Sequence, residues 1–421
     1  MFPHDPEEPS MYDAIVIGSR CAGAPTAMLL ARAGRRVLVV DRATFPSDVL
    51  SGHTIQPAGV ARLERWGLLD QVRATGVPFT SKVRFDFGPV VLEGEPVPVD
   101  GITDAVCIRR TIIDSLLTSA AADAGAEVRQ GFAVKSLLWE GDRVVGIRGR
   151  DATGAIVEER AHIVIGADGV SSFVARAAGA TTYDEVPATT VNVYSYWRGL
   201  DLDALELYVR PNRFFVATPT NDGLAFVNQS VPVGEADRYR GRTADAFAET
   251  VAEVPHLAGR LARAERVERF RWAPPGDAFF RIPSGPGWAL VGDAGYHLDP
   301  ITAQGMLDAF RDAELLAGAV DRGLGDGTLS EELLGYQRDR DTAALPMYRH
   351  TANLADVSAP PPPEMLELIG ALAGNPRQTS RFFGLIAGSV AVPEFFSPDI
   401  VATILAEAAG PATTPADAPA A

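Results

Sequence analysis

Three short turns in this 421-residue chain carry the residues best suited to hold a charged, polyhydroxylated ligand. The first is Gly18 to Gly23, within YDAIVIGSRCAGAPTAMLLARAGRRVLVVD. The others are Asp168-Gly169, within HIVIGADGVSS, and Gly292-Asp293, within WALVGDAGYH. Each follows a short apolar run of strand type. A turn that opens a helix offers backbone N–H groups with no partner inside the helix and a partial positive charge, which suits a pyrophosphate. A carboxylate just past a strand end can hold sugar hydroxyls. Taken alone, Asp168 or Asp293 could equally cap a helix.

The first turn is the most specific. Gly18 permits a sharp reversal, and Gly23 and Ala27 let the helix lie close to the strand. Asp41 falls 18 positions after Gly23, about where a ribose-binding carboxylate belongs. Arg20 replaces the middle glycine of G-x-G-x-x-G. Either it helps to neutralise the phosphates or the dinucleotide reading fails.

The surrounding pattern supplies elements to position these turns. Residues 12–41 read as strand, helix and strand, the helix closing at Gly34, so they form a βαβ unit. A long connection, RATFPSDVLSGHTIQPAGV, carries Ser51, His53, Thr54 and Gln56. A helix is expected over 109–124, with Ile112, Ile113, Leu116 and Leu117 on one stripe, and a β-meander over 126–150. Residues 187–233 hold three aromatic-rich runs of strand type, and a long helix starts at Met306. Further helices are expected beyond it, broken at Pro346 and at Pro360 to Pro363.

Composition narrows the class. The formal net charge is −16, and the only lysines are Lys82 and Lys135, which argues against nucleic acid and anionic membrane as partners. Cys21 and Cys107 are too few for a disulfide framework and match no zinc spacing, so no metal site is expected. With no long apolar run and an acidic N-terminus, a reducing cytoplasm is the expected location. Residues 1–10 are expected to be a loose arm and 411–421 a disordered tail.

Ligands of open α/β sheets bind at the carboxyl ends of the strands, so three such turns could meet one extended molecule. A pyrophosphate, a ribose and a second polyol chain describe FAD better than NAD. With its three motifs in this order, the chain resembles flavoproteins of the p-hydroxybenzoate hydroxylase fold, which includes class A aromatic hydroxylases, geranylgeranyl reductases and flavin-dependent halogenases. The resemblance covers roughly residues 11–320. It implies an α/β architecture: a Rossmann-like, GR2-type FAD-binding domain (11–76, 100–185 and 270–325), an inserted β-sheet substrate domain (77–99 and 186–269) and a C-terminal helical region (326–410).

The resemblance also implies roles. Gly18, Arg20, Ala22 and Gly23 would wrap the FAD pyrophosphate, Asp41 would bind the adenosine ribose, and Arg42 and Val134 would lie by the adenine. Arg109 would sit at the ribityl–phosphate side, and Asp168 would face both FAD and the nicotinamide donor. Gly292 and Asp293 would hold the ribityl chain, with Pro300, Gly305 and Met306 along the isoalloxazine ring. His53 and His297 are the candidate catalytic histidines. Tyr194, Tyr196, Tyr208, Phe214, Phe226 and Asn228 are candidate substrate contacts, although aromatics on a pleated sheet are more often core.

The implied activity is hydroxylation of an aromatic or polycyclic small molecule with O2 and NADPH or NADH, through a flavin hydroperoxide, by a monomer or homodimer. A separate flavin reductase is an alternative electron source. Asp299-Pro300 is closer to the reductase and halogenase pattern, and TFPSDVLSGHTI resembles the reductase segment; a reductase would saturate an isoprenoid-type C=C bond. The halogenase Trp-x-Trp-x-Ile-Pro signature is missing. A non-catalytic protein that binds FAD and a ligand is the third alternative.

Overall fold

The protein was analysed as a computed structural model that describes residues 11–358 and 361–409. The expected arm, the tail, and residues 359, 360 and 410 lie outside the described residues.

Apolar runs of the type VLVV cannot face water on either side, and they assemble into a parallel sheet covered on both faces. Tyr12–Ile17 lies at its centre, flanked by Val37–Asp41 and then Glu127–Gln130 on one side. On the other side come Ile156–Gly166 and Trp288–Leu290, all parallel, with Ser284–Gly285 antiparallel at the edge. Helices Gly23–Arg32, Arg110–Asp123 and Gly305–Asp326 cover one face, where Ala14, Val16, Val37, Val39, Ile163 and Ile165 are buried. The hairpin Ala133–Glu140/Arg143–Arg150 and helix Phe173–Ala177 cover the other.

A second sheet is mostly antiparallel. Its order is Glu265–Arg266, Thr190–Arg198, Leu224–Pro232, Arg213–Thr220, Leu205–Arg210, Val83–Asp86, Val91–Gly94, and Arg271–Ala273 pairs beside Thr190–Arg198. Strand periodicity gives it two distinct faces. Val191, Val193, Tyr208, Phe215 and Val227 face helices Thr243–Val251 and Pro255–Leu261. On the opposite face Tyr194, Tyr196 and Phe226 cluster at one end. Leu205, Leu207 and Phe214 cluster at the other, under helices Pro363–Leu372, Pro376–Ala387 and Pro398–Ala409.

The structure differs from the sequence reading in several places. Glu127–Gln130 leaves the expected meander to extend the central parallel sheet. The run LELYVRPNRFFVATP is two strands, reversed at Asn212 with φ +61°. Arg271–Ala273 joins the second sheet past residue 269. Helix Leu329–Ala355 runs through Pro346. Its buried stripe, Leu333, Tyr336, Arg340, Ala344, Tyr348 and Thr351, packs on both sides of the proline, and that packing outweighs one lost backbone bond. Among the described residues, no helix is long and apolar enough to cross a membrane.

Candidate functional site

The three turns meet at the carboxyl ends of the central strands. Gly18, at φ +101°, packs so closely on the third strand's turn that a Cβ there would lie 2.4 Å from the Ala167 carbonyl oxygen. Gly292 approaches Ala22 equally tightly: a Cβ would lie 2.7 Å from the Ala22 Cβ. The first turn thus touches both of the others. No side chain caps the start of Gly23–Arg32, and its first turn holds no acid, so its positive end is left to a ligand. Pro300 and Gly305 are exposed, and open space surrounds Gly305 at the start of its helix, whose first turn is also uncapped. Met306 is buried beneath.

Several expected roles change in detail. Asp41 is buried, and its two carboxylate oxygens accept from the backbone N–H groups of Ser19 and Ala43, each at 2.8 Å. Its first task is to fix the Gly18 turn, and a ribose hydroxyl would share those oxygens. Arg42 beside it is exposed, and Val134 lies across the ladder from Gly149, close to where Phe132 N–H bonds the Asp41 carbonyl. Arg20 commits its guanidinium to Asp114 Oδ2 at 2.6 Å and the Ser47 hydroxyl at 3.1 Å. Only its backbone remains for a pyrophosphate. Asp168 takes the helix-capping role: it accepts from Phe173 N–H at 2.6 Å and from the Ser172 hydroxyl at 2.5 Å.

The two arginines at the start of the next helix take different partners. Arg109 precedes helix Arg110–Asp123, donates to Glu268 at 2.6 Å and lies over the Tyr196 ring, 4.0 Å from its centroid. Arg110 is the cation that turns toward the three turns. It pairs with Asp114 at 3.0 Å and feels the Asp293 charge. Asp114, fully buried, therefore joins Arg110 to Arg20, while Thr118 on the same helix donates to the Ser19 carbonyl at 2.6 Å. Sequence reasoning missed Arg110 and Asp114, although their four-residue spacing at a helix start was readable.

The aromatic residues divide by face. Tyr194, Tyr196, Phe226 and His53 form a box in which each is no more than 2% exposed. The His53 ring centroid lies 6.0 Å from both tyrosine rings and 5.7 Å from Phe226. His53 has φ +57°; its Nε2 bonds the Tyr196 hydroxyl, and its buried Nδ1 has no hydrogen-bond partner. Burial, followed by the charges of Arg110, Arg109 and Arg271, lowers its pKa to about 3, so the imidazole is neutral at physiological pH. Burial also raises the pKa of both Tyr194 and Tyr196.

Asn228 pairs opposite Tyr194 on the same face and donates to Asn192 Oδ1 at 3.1 Å. Tyr208 is on the other face: strand alternation sends it into the core with Phe215, where its hydroxyl donates to Glu206 at 2.5 Å. Phe214 shares the box face but lies under the C-terminal helices with Phe85, away from the aromatic box. His297 sits 3.7 Å from Asp293. Burial disfavours its charged form, but the facing Asp293 carboxylate, with Asp299 beyond, raises its pKa above the ordinary imidazole value.

The comparisons with known proteins agree with this geometry. The sequence profile described as FAD binding domain matches residues 11–351. The chain belongs to this FAD binding domain family. It is a flavin-dependent oxidoreductase. It is 28% identical over 331 residues to digeranylgeranylglycerophospholipid reductase of Methanosarcina acetivorans, covering 77% of this chain and 78% of the relative. It is 29% identical over 350 residues to 6-methylpretetramide 4-monooxygenase of Streptomyces rimosus, covering 79% and 80%. The myxobacterial chondrochloren halogenase CndH shares the fold, with TM-score 0.75 at 23% identity over 95% of this chain and 97% of that one.

Proposed function

We propose that this protein is a monooxygenase that hydroxylates a planar aromatic or polycyclic small molecule, using O2 and electrons from NADPH or NADH. The observation that carries the reading is the aromatic box of Tyr194, Tyr196, Phe226 and neutral His53, joined through Arg109 and Arg110 to the converged turns. The glycine contacts between these turns are close enough to form a backbone cradle, and the two uncapped helix starts suit an anionic dinucleotide.

In that cradle the backbone of residues 18–23 would hold the pyrophosphate. Asp41 would lie at the ribose, Asp293 at the polyol chain, and the Pro300–Gly305 loop along the ring. FAD bound there supplies electrons to dioxygen and delivers an oxygen atom. The chain's own residues provide the surroundings. The box excludes water from the reacting carbon, and flat rings orient a flat substrate. Neutral His53 can accept a hydrogen bond from a substrate hydroxyl at Nδ1 while Tyr196 holds its Nε2. Similarity to 6-methylpretetramide 4-monooxygenase supports this reading.

A second reading is reduction of an isoprenoid-type C=C bond. Similarity to digeranylgeranylglycerophospholipid reductase and the Asp299-Pro300 loop favour it. Against it, the apolar face beyond the box is packed with Phe214, Phe383, Phe395 and Ile404. Oxygen labelling separates the two. Substrate-stimulated NAD(P)H oxidation by the FAD-loaded protein should consume O2 and place one labelled oxygen atom in an aromatic product. Product formation without O2, on an isoprenoid substrate, would establish the reductase instead. A colourless protein that gains no flavin would end both.

A further inference from the structure

Arg340, midway along helix Leu329–Ala355, is a fully buried cation. Burying a guanidinium is costly unless its donors find partners and a carboxylate balances the charge. Asp341 supplies the balance: its Oδ1 accepts from Arg340 Nε at 2.9 Å and from Nη2 at 2.7 Å. The Tyr183 hydroxyl accepts from Nη2 at 2.9 Å and donates to Asp341 Oδ2 at 2.7 Å. The other contacts go to main chain. Nη2 also reaches the Arg281 carbonyl at 3.0 Å, and Nη1 the Gly295 carbonyl at 3.5 Å. Gly295 belongs to the third turn and follows Asp293 by two residues.

That turn needs such support. Gly292 to Gly295 leave the central sheet after Leu290, so their carbonyl groups have no partner in its ladder. Arg281 bridges the second turn and the third. Its Nη1 donates to the Ala294 carbonyl at 2.9 Å, its Nη2 to the Val170 carbonyl at 3.3 Å, and its backbone N–H to the Gly295 carbonyl at 2.8 Å. Arg340 then holds both Arg281 and Gly295 by their carbonyls. Helix and turn are in direct contact, since a Cβ on Gly295 would lie 3.2 Å from Arg340 Nη1. Two more bonds fix the same stretch: Arg311 Nη2 donates to the Tyr296 hydroxyl at 2.5 Å, and the Tyr336 hydroxyl to the Leu290 carbonyl at 2.9 Å. The Asp293 side chain itself is 45% exposed, so its placement depends on the backbone beneath it.

Resting on the placement of Asp293 at the polyol chain of FAD, we propose that Arg340 is a positioning residue for the cofactor. Together with Arg281 it fixes the third turn, so that the Asp293 carboxylate stands ready for the polyol hydroxyls. Helix Leu329–Ala355 is then a working part of the cofactor site, although it lies beyond the stretch that carries the three turns. A lysine offers its donors from one nitrogen. Only a guanidinium fork spans two carbonyls and a carboxylate at once.

The test is binding, read without turnover. FAD and ADP are titrated by calorimetry into full-length protein freed of flavin. ADP carries the adenosine and the diphosphate but no polyol chain, so it does not engage Asp293. Arg340→Met should weaken FAD about tenfold and leave ADP within about twofold. Asp293→Ala should weaken FAD to a similar degree. Adding Arg340→Met to Asp293→Ala should cost less than about twofold more, because both act at one contact. Arg281→Met should show the same selectivity at several-fold, and it remains informative if Arg340→Met does not fold. Equal weakening of FAD and ADP, effects of Arg340→Met and Asp293→Ala that add in full, or normal FAD binding by Arg281→Met would each overturn the proposal. Asp293→Ala with unaltered FAD binding would overturn the placement of Asp293 at the polyol chain, and the proposal with it. None of these outcomes depends on which reaction the bound flavin supports.

Discussion

The cofactor cradle and the aromatic box are built from different materials. The cradle is mostly backbone: the Gly18 and Gly292 turns touch their neighbours so closely that no side chain fits between, and buried Asp114 and Thr118 brace the turn from behind. The box is all side chain, borne on two neighbouring strands and one irregular segment. A backbone cradle admits almost no variation, since an added carbon strikes the Ala167 carbonyl at Gly18 and the Ala22 methyl at Gly292. A box of side chains can be re-lined without disturbing the strands beneath. One fold can therefore keep a single cofactor while its relatives carry names as different as a phospholipid reductase and a pretetramide monooxygenase.

That contrast can be broken or sharpened by experiment. The largest effect should come from Gly18→Val. The φ of +101° and the 2.4 Å approach to Ala167 oxygen leave no place for the side chain, so a loss of about 3 kcal/mol or more and a flavin-free, colourless protein are expected. Unfolding in urea and flavin absorbance would check it. Next is Asp114→Ala, which strands Arg20 and Arg110 beside the turn. It should cost roughly 3–5 kcal/mol, and FAD should be held at least tenfold more weakly.

The two neighbouring arginines give a sharper comparison. Arg110→Gln should weaken FAD binding, whereas Arg109→Gln should leave it within about twofold and change ligand binding at the box. Equal loss of FAD in both variants would erase the distinction drawn here. The two faces of the second sheet offer a parallel test. Tyr208→Ala should destabilise by about 3–5 kcal/mol and leave the ligand selectivity of the folded remainder unaltered, whereas Tyr196→Phe should cost only about 1 kcal/mol and alter it.

The last effect is pH-dependent. The folded pKa of His53, about 3, lies below the ordinary value of 6.5, so the unfolded chain binds the extra proton between those limits. Stability from this residue is complete above about pH 6.5 and is lost as pH falls, at no more than about 1.4 kcal/mol per pH unit. The gap in unfolding free energy between wild type and His53→Gln should therefore shrink on acidification from pH 7 to pH 4. A gap that stays constant would mean that His53 is charged or solvated.

The cradle was far more legible in the sequence than the box, for the same material reason. Backbone requirements leave marks that survive in a string of letters: Gly18, Gly23 and Gly292 at strand ends, with Asp41 at a fixed distance. Side-chain direction leaves fewer marks. Arg109 and Arg110 are adjacent and chemically alike, and only the helix phase set by Asp114 decides which one turns to the cradle. Tyr208 and Phe214 match the expected residue type, but strand register carries the first to the far face and the C-terminal helices cover the second. Arg271 pairs with Asp48 at 2.7 Å and with Glu268 at 3.1 Å, and all three are ordinary surface-type residues in the sequence. Their association depends on a segment near residue 48 folding back onto a strand more than 200 positions later, which no local pattern encodes.

A further bond, beside the arginine links, ties the two regions together. The hydroxyl of Thr190, at the head of the strand that bears both tyrosines, donates to Asp299 at 2.5 Å, and Asp299 in turn holds the Ile301 N–H in the Pro300–Thr302 turn. The strand of the aromatic wall and the Pro300–Thr302 turn thus share one carboxylate. A displacement of either one would load the other through that carboxylate.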